Sequence, residues 1–204
     1  MATNADIIRR AHRLMGTVSG GQSPTGSDAE DSMEQLQELI LELPGLVKNG
    51  RWCEIATSAA YEAGEGERIT VTTPGVVTLP ATVVTPTCSS ARPPLDLARV
   101  QIVGAAAANA GLWVYIATKG AWAQVDGLEI GEAFPFGDED IAGVAAQLAV
   151  NLADEYGEAA QVGERTLARA QASARSFRAR FKKAGPKDWT RPQDYDRERC
   201  TDYC

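Results

Sequence analysis

Histidine is almost missing from this chain: His12 is the only one in 204 residues. Hydrolytic triads and cysteine–histidine sites need an imidazole held between two partners, and a single ring leaves little from which to build either. His12 stands between Arg9 and Arg13 in a helix-like segment, so it is expected on the polar surface and not at a catalytic centre. Cysteine is scarce too. Of Cys53, Cys88, Cys200 and Cys204 only the last two are close in sequence. No second Cys or His pair completes a zinc set, so no metal site and no cofactor is expected. Residues 1–6 lack the basic-then-apolar layout of a secretory signal. Synthesis in a reducing cytoplasm is therefore expected, where disulfides rarely persist.

Long hydrophobic runs are absent as well. None approaches the roughly 20 residues that span a bilayer. The densest glycine stretch, residues 16–22, follows a helix and lacks the Gly-Lys-Ser or Gly-Lys-Thr of a phosphate loop. Aromatics are only 6% of the chain, which with abundant Ala and Gly points to a core of small side chains. What is present is 44% hydrophobic residues, a normal globular share, and a net charge of -7.

Apolar residues at helical spacing mark the two ends of the chain. Ile7, Ile8, Ala11, Leu14 and Met15 predict a short helix over residues 5–15, stopped by Gly16. After a Gly/Ser/Thr/Pro loop, Ser27 with Glu30 reads as a capping box. It opens an acidic helix to about Leu43, with Met33, Leu36, Leu39, Ile40 and Leu43 as its stripe. Pro44-Gly45 breaks it. A third helix follows Gly137, capped by Asp138 or Asp140, and ends at Gly157. Its buried face is Ile141, Val144, Ala145, Leu148, Leu152 and Tyr156. A fourth, over about 158–183, has Val162, Leu167, Ala170, Ala174, Phe177 and Phe181 as apolar positions.

Between these ends the period shortens to two. Alternation at 68–72, in part of 76–84 and at 121–125, with short runs at 98–103 and 112–117, predicts several short strands. Lys119-Gly120 reads as a tight hairpin between Trp113 and Trp122, whose rings are expected to form a small β-core. The fold class is therefore α+β: a mainly helical bundle body from residues 1–50 and 132–184, an inserted small antiparallel β-unit at 51–131, and an extended C-terminal tail at 185–204.

The carboxylates Glu54, Glu62, Glu65 and Glu67 could in principle supply a glycosidase pair. Nothing in their spacing sets two of them at a working separation, and solvated loop positions are expected. The strongest charge signal is the fourth helix. From Arg165 to Lys187 there are eight basic residues and no acid. A basic helix can bind nucleic acid, but the acidic chain as a whole opposes long-range attraction to DNA. The other use is self-complementary. Glu34 and Glu38 on the acidic second helix can meet Arg169, Arg175 and Arg178 of a neighbouring copy, a head-to-tail contact that closes by rotation.

The opening Ala5-Asp6-Ile7-Ile8-Arg9-Arg10-Ala11-His12-Arg13-Leu14-Met15-Gly16 resembles the start of the head-to-tail adaptor proteins of short-tailed bacteriophages, as does Ser32-Met33-Glu34-Gln35-Leu36-Gln37-Glu38-Leu39 ahead of Leu46-Val47-Lys48-Asn49-Gly50. Phe136-Gly137-Asp138 with Leu148-Ala149-Val150-Asn151-Leu152-Ala153-Asp154-Glu155-Tyr156-Gly157 is similar to the family's third helix, and the basic last helix and C-terminal tail match as well. The segment with Glu67-Arg68-Ile69-Thr70-Val71 and Trp122-Ala123-Gln124-Val125-Asp126-Gly127-Leu128 resembles longer, prophage-encoded members; compact ones lack it.

The resemblance implies a viral structural protein, not an enzyme. Such a head–tail connector forms a ring, twelve-fold in the family, under the portal after DNA packaging. It would reside at the head–tail junction of the virion, extend the DNA channel without reading sequence, and offer a platform to the tail hub or nozzle protein. Trp189, Arg191, Tyr195 and Tyr203, large anchors and a charge on an extended tail, are the expected portal-binding residues. Two alternatives from other classes are a peptidoglycan-cleaving enzyme carried in the virion and a DNA-binding protein using the basic helix.

Overall fold

A computed structural model describes residues 2–43, 53–57, 61–72, 74, 77–79, 83–85, 88–104 and 107–183. The fold is mixed α+β, with four α-helices and a mixed sheet among the described residues. The chain divides into two compact units. One holds the described residues within 1–48 and 127–179, the other those within 49–126 and 180–204.

The first unit carries α1 (Asn4–Met15), α2 (Gly26–Glu42), α3 (Asp138–Tyr156) and most of α4 (Glu164–Lys183). Thr3 caps α1: its hydroxyl accepts from the Asp6 N–H while Asp6 returns a bond to the Thr3 N–H. This reciprocal cap satisfies two orphan donors. At the other end Gly16 takes φ 78°, the left-handed cap that glycine adopts without a Cβ clash. The cap on α2 differs from expectation. The helix begins at Gly26 behind Thr25, whose hydroxyl bonds Asp28, and Ser27 lies inside the first turn. Likewise α3 starts from Gly137 with no side-chain cap, and Asp138, Glu139 and Asp140 all fall in its first turn, where the helix dipole favours acids.

Ile7, Ile8, Ala11 and Met15 of α1, Leu36, Leu39 and Ile40 of α2, and Val144, Ala145, Leu148 and Leu152 of α3 are buried. Gly157, at φ 53°, ends α3, but a 3-10 turn (Gly157–Ala159) and an extended stretch intervene before α4. The fourth helix therefore begins at Glu164, later than the apolar spacing indicates. There Gln161 N–H donates to the Met15 carbonyl at 3.0 Å, which ties the linker to the end of α1. The helix then approaches α3 closely at one crossing: a Cβ on Gly143 would fall 2.3 Å from Ser173 Oγ. Phe177, fully buried, stacks edge-on against Phe136 at 5.3 Å, and Phe136 meets Phe134 at 5.6 Å.

The second unit is built on a five-stranded sheet. In chain order its strands are β1 (Cys53–Thr57), β2 (Tyr61–Glu62), β3 (Glu67–Val71), β4 (Val77–Thr78), β5 (Val83–Thr85), β6 (Cys88–Arg92), β7 (Arg99–Val103), β8 (Gly111–Ile116) and β9 (Ala121–Gln124). The sheet runs β1-β3-β7-β8-β9, while β2 with β4 and β5 with β6 make two-stranded pairs. The expected antiparallel arrangement is corrected here: β1 and β7 both run parallel to β3 and β2 runs parallel to β4, while β7-β8-β9 and the β5–β6 pair are antiparallel. Period-two alternation says which face a residue occupies and is blind to strand direction. The expected hairpin does form, with Ile116 opposite Ala121 and Gly120 at φ 63°. Trp113 and Trp122 pack on a core of Ala63, Ile69, Val71, Val77, Val100 and Ile102. Among the described residues no helix is long and apolar enough to cross a membrane.

Phe177 is the largest side chain that α4 buries in the first unit. Phe177→Ala should lower stability by about 3–5 kcal/mol, the usual cost of emptying such a site. Denaturant unfolding followed by circular dichroism measures it. A loss under about 1 kcal/mol would show that the site collapses freely or that α4 is held elsewhere.

Candidate functional site

Two charged helix faces and one groove make up the candidate site, all within the first unit. On α2, Ser32, Leu36, Leu39 and Ile40 point inward, which turns Glu30, Asp31, Glu34, Glu38 and Glu42 to solvent. On α4 only Ala170 and Phe177 are buried among residues 164–180, and Arg165, Arg169, Arg175 and Arg178 are exposed. Glu34, Glu38, Arg169, Arg175 and Arg178, the residues expected at a subunit boundary, are therefore all on the surface. Among the described residues no ion pair reaches any of these five. An open groove of about 350 Å³ lies along α2, lined by Met33, Glu34, Gln37, Glu38, Gly127 and Leu128. Its wall is fixed by Gln37, whose amide oxygen accepts from the Leu128 N–H at 2.9 Å.

The sequence reading missed two of these features. Leu167, expected on the apolar stripe, is 45% exposed, the most open large hydrophobic residue described. Leu128, quoted in sequence only as the end of the Trp122–Leu128 resemblance, has no legible place beside α2, because that depends on a contact 91 residues away in sequence. Trp189, Arg191, Tyr195 and Tyr203, the expected portal anchors, lie outside the described residues, as do Cys200 and Cys204.

His12 is not a surface residue; it is 1% exposed. Its Nδ1 lies 2.9 Å from Thr17 Oγ1 and its Nε2 2.9 Å from Ser32 Oγ. Thr17 spends its own proton on the His12 carbonyl at 3.1 Å, so Nδ1–H donates to the threonine and Nε2 accepts from the serine. Tyr156 closes the cluster edge-on at 5.5 Å, and burial first, then the nearby Asp28 carboxylate, pushes its hydroxyl up. The imidazole–serine contact has the spacing of a catalytic dyad. Ser32 is fully buried, however, and a threonine hydroxyl occupies the side where a triad needs a carboxylate. The cluster is a polar lock joining α1, α2 and α3.

Glu67 also departs from expectation. It is 1% exposed, accepts from the Gly64 N–H at 2.7 Å and from the Tyr61 hydroxyl at 3.3 Å, and burial pushes its carboxyl up. Glu54 and Glu62 are exposed, as expected of solvated carboxylates, and Glu65 accepts from the Leu95 N–H at 2.6 Å. Among the described residues no group of three or more His, Cys, Asp or Glu side chains could hold a metal ion.

No family model matches the chain, and no curated protein matches it either.

Burial pushes the His12 imidazole below its ordinary value of 6.5, against a smaller opposing pull from Asp28. The unfolded chain gains a proton near pH 6.5 and the folded one only at lower pH. Stability from the neutral ring is thus complete above that pH and is lost as the pH falls below it. Thermal melts between about pH 7.5 and pH 5.5 should decline more steeply for the wild type than for His12→Gln, which holds a neutral amide there. Equal slopes would remove His12 as the titrating group.

Proposed function

We propose that the chain is a structural head-to-tail adaptor of a tailed bacteriophage. In this reading copies form a ring, of about twelve if it follows the family it resembles, beneath the portal. The ring extends the DNA channel and offers its far side to the tail hub or nozzle protein. The helices act as a bundle body, the β-rich unit is an addition to it, and residues 185–204 form an extended tail along the portal.

The observation that carries the reading is the order and character of the four helices. A short helix closes on Gly16, and an acidic helix follows a Gly/Ser/Thr/Pro loop. A third helix, Asp138–Tyr156, runs between Gly137 and Gly157, and a basic helix comes last with Arg165, Arg169, Arg175 and Arg178 in solvent. Each falls on the residues whose sequence resembles the adaptor family. Glu34 and Glu38 on one helix and Arg169, Arg175 and Arg178 on another, with no ion pair to any of them among the described residues, suit a subunit made to sit between copies of itself.

The test is assembly on a portal ring. The mass of the complex formed with a purified portal should correspond to one closed ring of this chain per portal. Removing residues 186–204 should leave the helical circular dichroism signal in place and weaken portal binding at least about tenfold, about 1.4 kcal/mol. Trp189→Ala alone should give a sizeable part of that loss, since a tryptophan anchor carries much of such an interface. Undiminished binding by the truncated chain would place the anchor elsewhere. No complex at all with the portal would remove the adaptor reading.

A further inference from the structure

The basic helix is not equally basic all round, and this selects which arginines can share a contact. Inward-facing Ala170 and Phe177 fix the rotation of α4. At 3.6 residues per turn, Arg178 and Arg175 lie about 20° and 80° round the axis from exposed Leu167, with Gln171 between them. Arg165 and Arg169 lie about 160° from Leu167, on the side of the helix opposite to it, with Arg165 about 80° from Arg175. One exposed stripe therefore reads Glu164, Leu167, Gln171, Arg175, Arg178: an acid and an apolar knob in the first turn, followed two to three turns on by two cations one turn apart. The other exposed stripe has cations and no large apolar residue.

The groove along α2 has the complementary character. Met33 and Leu128 give it apolar lining, and Glu34 and Glu38, one turn apart, supply two exposed carboxylates. None of these four charged groups is paired among the described residues. Groove and stripe are different patches of the same chain, so their contact is heterologous. It repeats from copy to copy and ends only where a ring closes.

We infer that the Leu167–Arg175–Arg178 face of α4 docks into the Met33–Glu34–Glu38–Leu128 groove of a second copy of this chain, and that the Arg165–Arg169 face takes no part. The inference rests on the adaptor reading only for closure of the chain of contacts into a ring. The contact itself follows from charge and shape. Arg169, grouped with Arg175 and Arg178 on sequence, drops out because the helix turns it away. The patch is small and exposed charges dominate it, so the association is weak, grows with protein concentration and falls with salt.

Sedimentation velocity of the full-length protein alone, at low salt and rising concentration up to its solubility limit, tests this. The wild type should show a mass that climbs past dimer, because a head-to-tail contact has no stopping point at two. Glu34→Arg with Glu38→Arg, and separately Arg175→Glu with Arg178→Glu, should each weaken association at least about tenfold, as loss of complementary charge does. An equimolar mixture of the two variants should restore it, because each then meets the reversed face of the other; that rescue also shows both to be folded. Leu167→Asp should weaken it too, and Arg165→Glu with Arg169→Glu should leave it unchanged.

The inference is overturned by a wild type that stays monomeric throughout, by growth that stops at dimer, or by a mixture that fails to rescue. Equal sensitivity of the Arg165–Arg169 variant would overturn it as well, since charge alone would then be at work. Because no portal is present, failure here leaves portal-directed ring formation to be judged by its own experiment.

Discussion

The first unit exists only because the N-terminus is sewn to a segment some 130 residues later in the chain. Asn4 N–H donates to the Glu132 carbonyl, Ala5 N–H to Ile130 and Phe134 N–H to Ala2, each at 2.9 Å, and the Asn4 side-chain amide reaches the Glu129 carbonyl at 2.8 Å. Thr3 and Ala133 complete a small antiparallel bridge. The chain leaves this unit after α2 and returns at Gly127. Closing so long an excursion costs little more than closing a short one, since the entropy grows only with the logarithm of length. What it requires is that the returning strand be pinned. Residues 2–5 do this mostly with backbone groups, to which the buried Asn4 side chain adds one bond. Phe134 and Phe136 follow at once and enter the core, and α3 starts from Gly137 already in place against α1.

Packing alone would let α1, α2 and α3 slide, because their buried faces are rich in Ala, Ile and Leu, and similar apolar contacts are available in several registers. The His12 cluster removes that freedom. An imidazole with one donor and one acceptor must find Thr17 on one side and Ser32 on the other, and leaving either unmet in a buried site costs about 1–3 kcal/mol. The ring also sits edge-on to Tyr156 of α3, so the lock spans three helices.

The sequence held a signal for this burial. His12 is four residues after Ile8 and three before Met15, both inward-facing, and that spacing outweighs its position between Arg9 and Arg13. Helical periodicity located the four α-helices among the described residues. It missed the start of α4 because Val162 continues an apolar rhythm through a stretch that the backbone takes as extended chain. Strand residues were equally legible, whereas the parallel pairing of β1 and β7 with β3 was not: direction is set by which connections cross the sheet, and side-chain alternation carries none of that. Glu67 was read as solvated because a carboxylate usually is. It is held inside by Gly64, where an added Cβ would sit 2.6 Å from its Oε1, and no local pattern encodes that approach.

The legibility of the candidate site divides along the same line. The acidic and basic helices are sequence facts, but the rotation of each helix decides which charges share a face, and rotation is a packing fact. For α4 two side chains settle it. That so little burial suffices follows from composition: residues 164–183 are dominated by Ala and Arg, which lose little on entering a helix, and Glu164 stands in the first turn where the dipole favours it. A helix stabilised by its own backbone preferences need not spend its surface on the core. Phe177 and Ala170 orient it, the close approach at Gly143 and Ser173 holds it, and Arg165, Leu167, Arg169, Arg175 and Arg178 stay in solvent. An exposed leucine on such a helix is not needed for folding. Its place at the head of the Arg175–Arg178 stripe is what the proposed contact between copies would use.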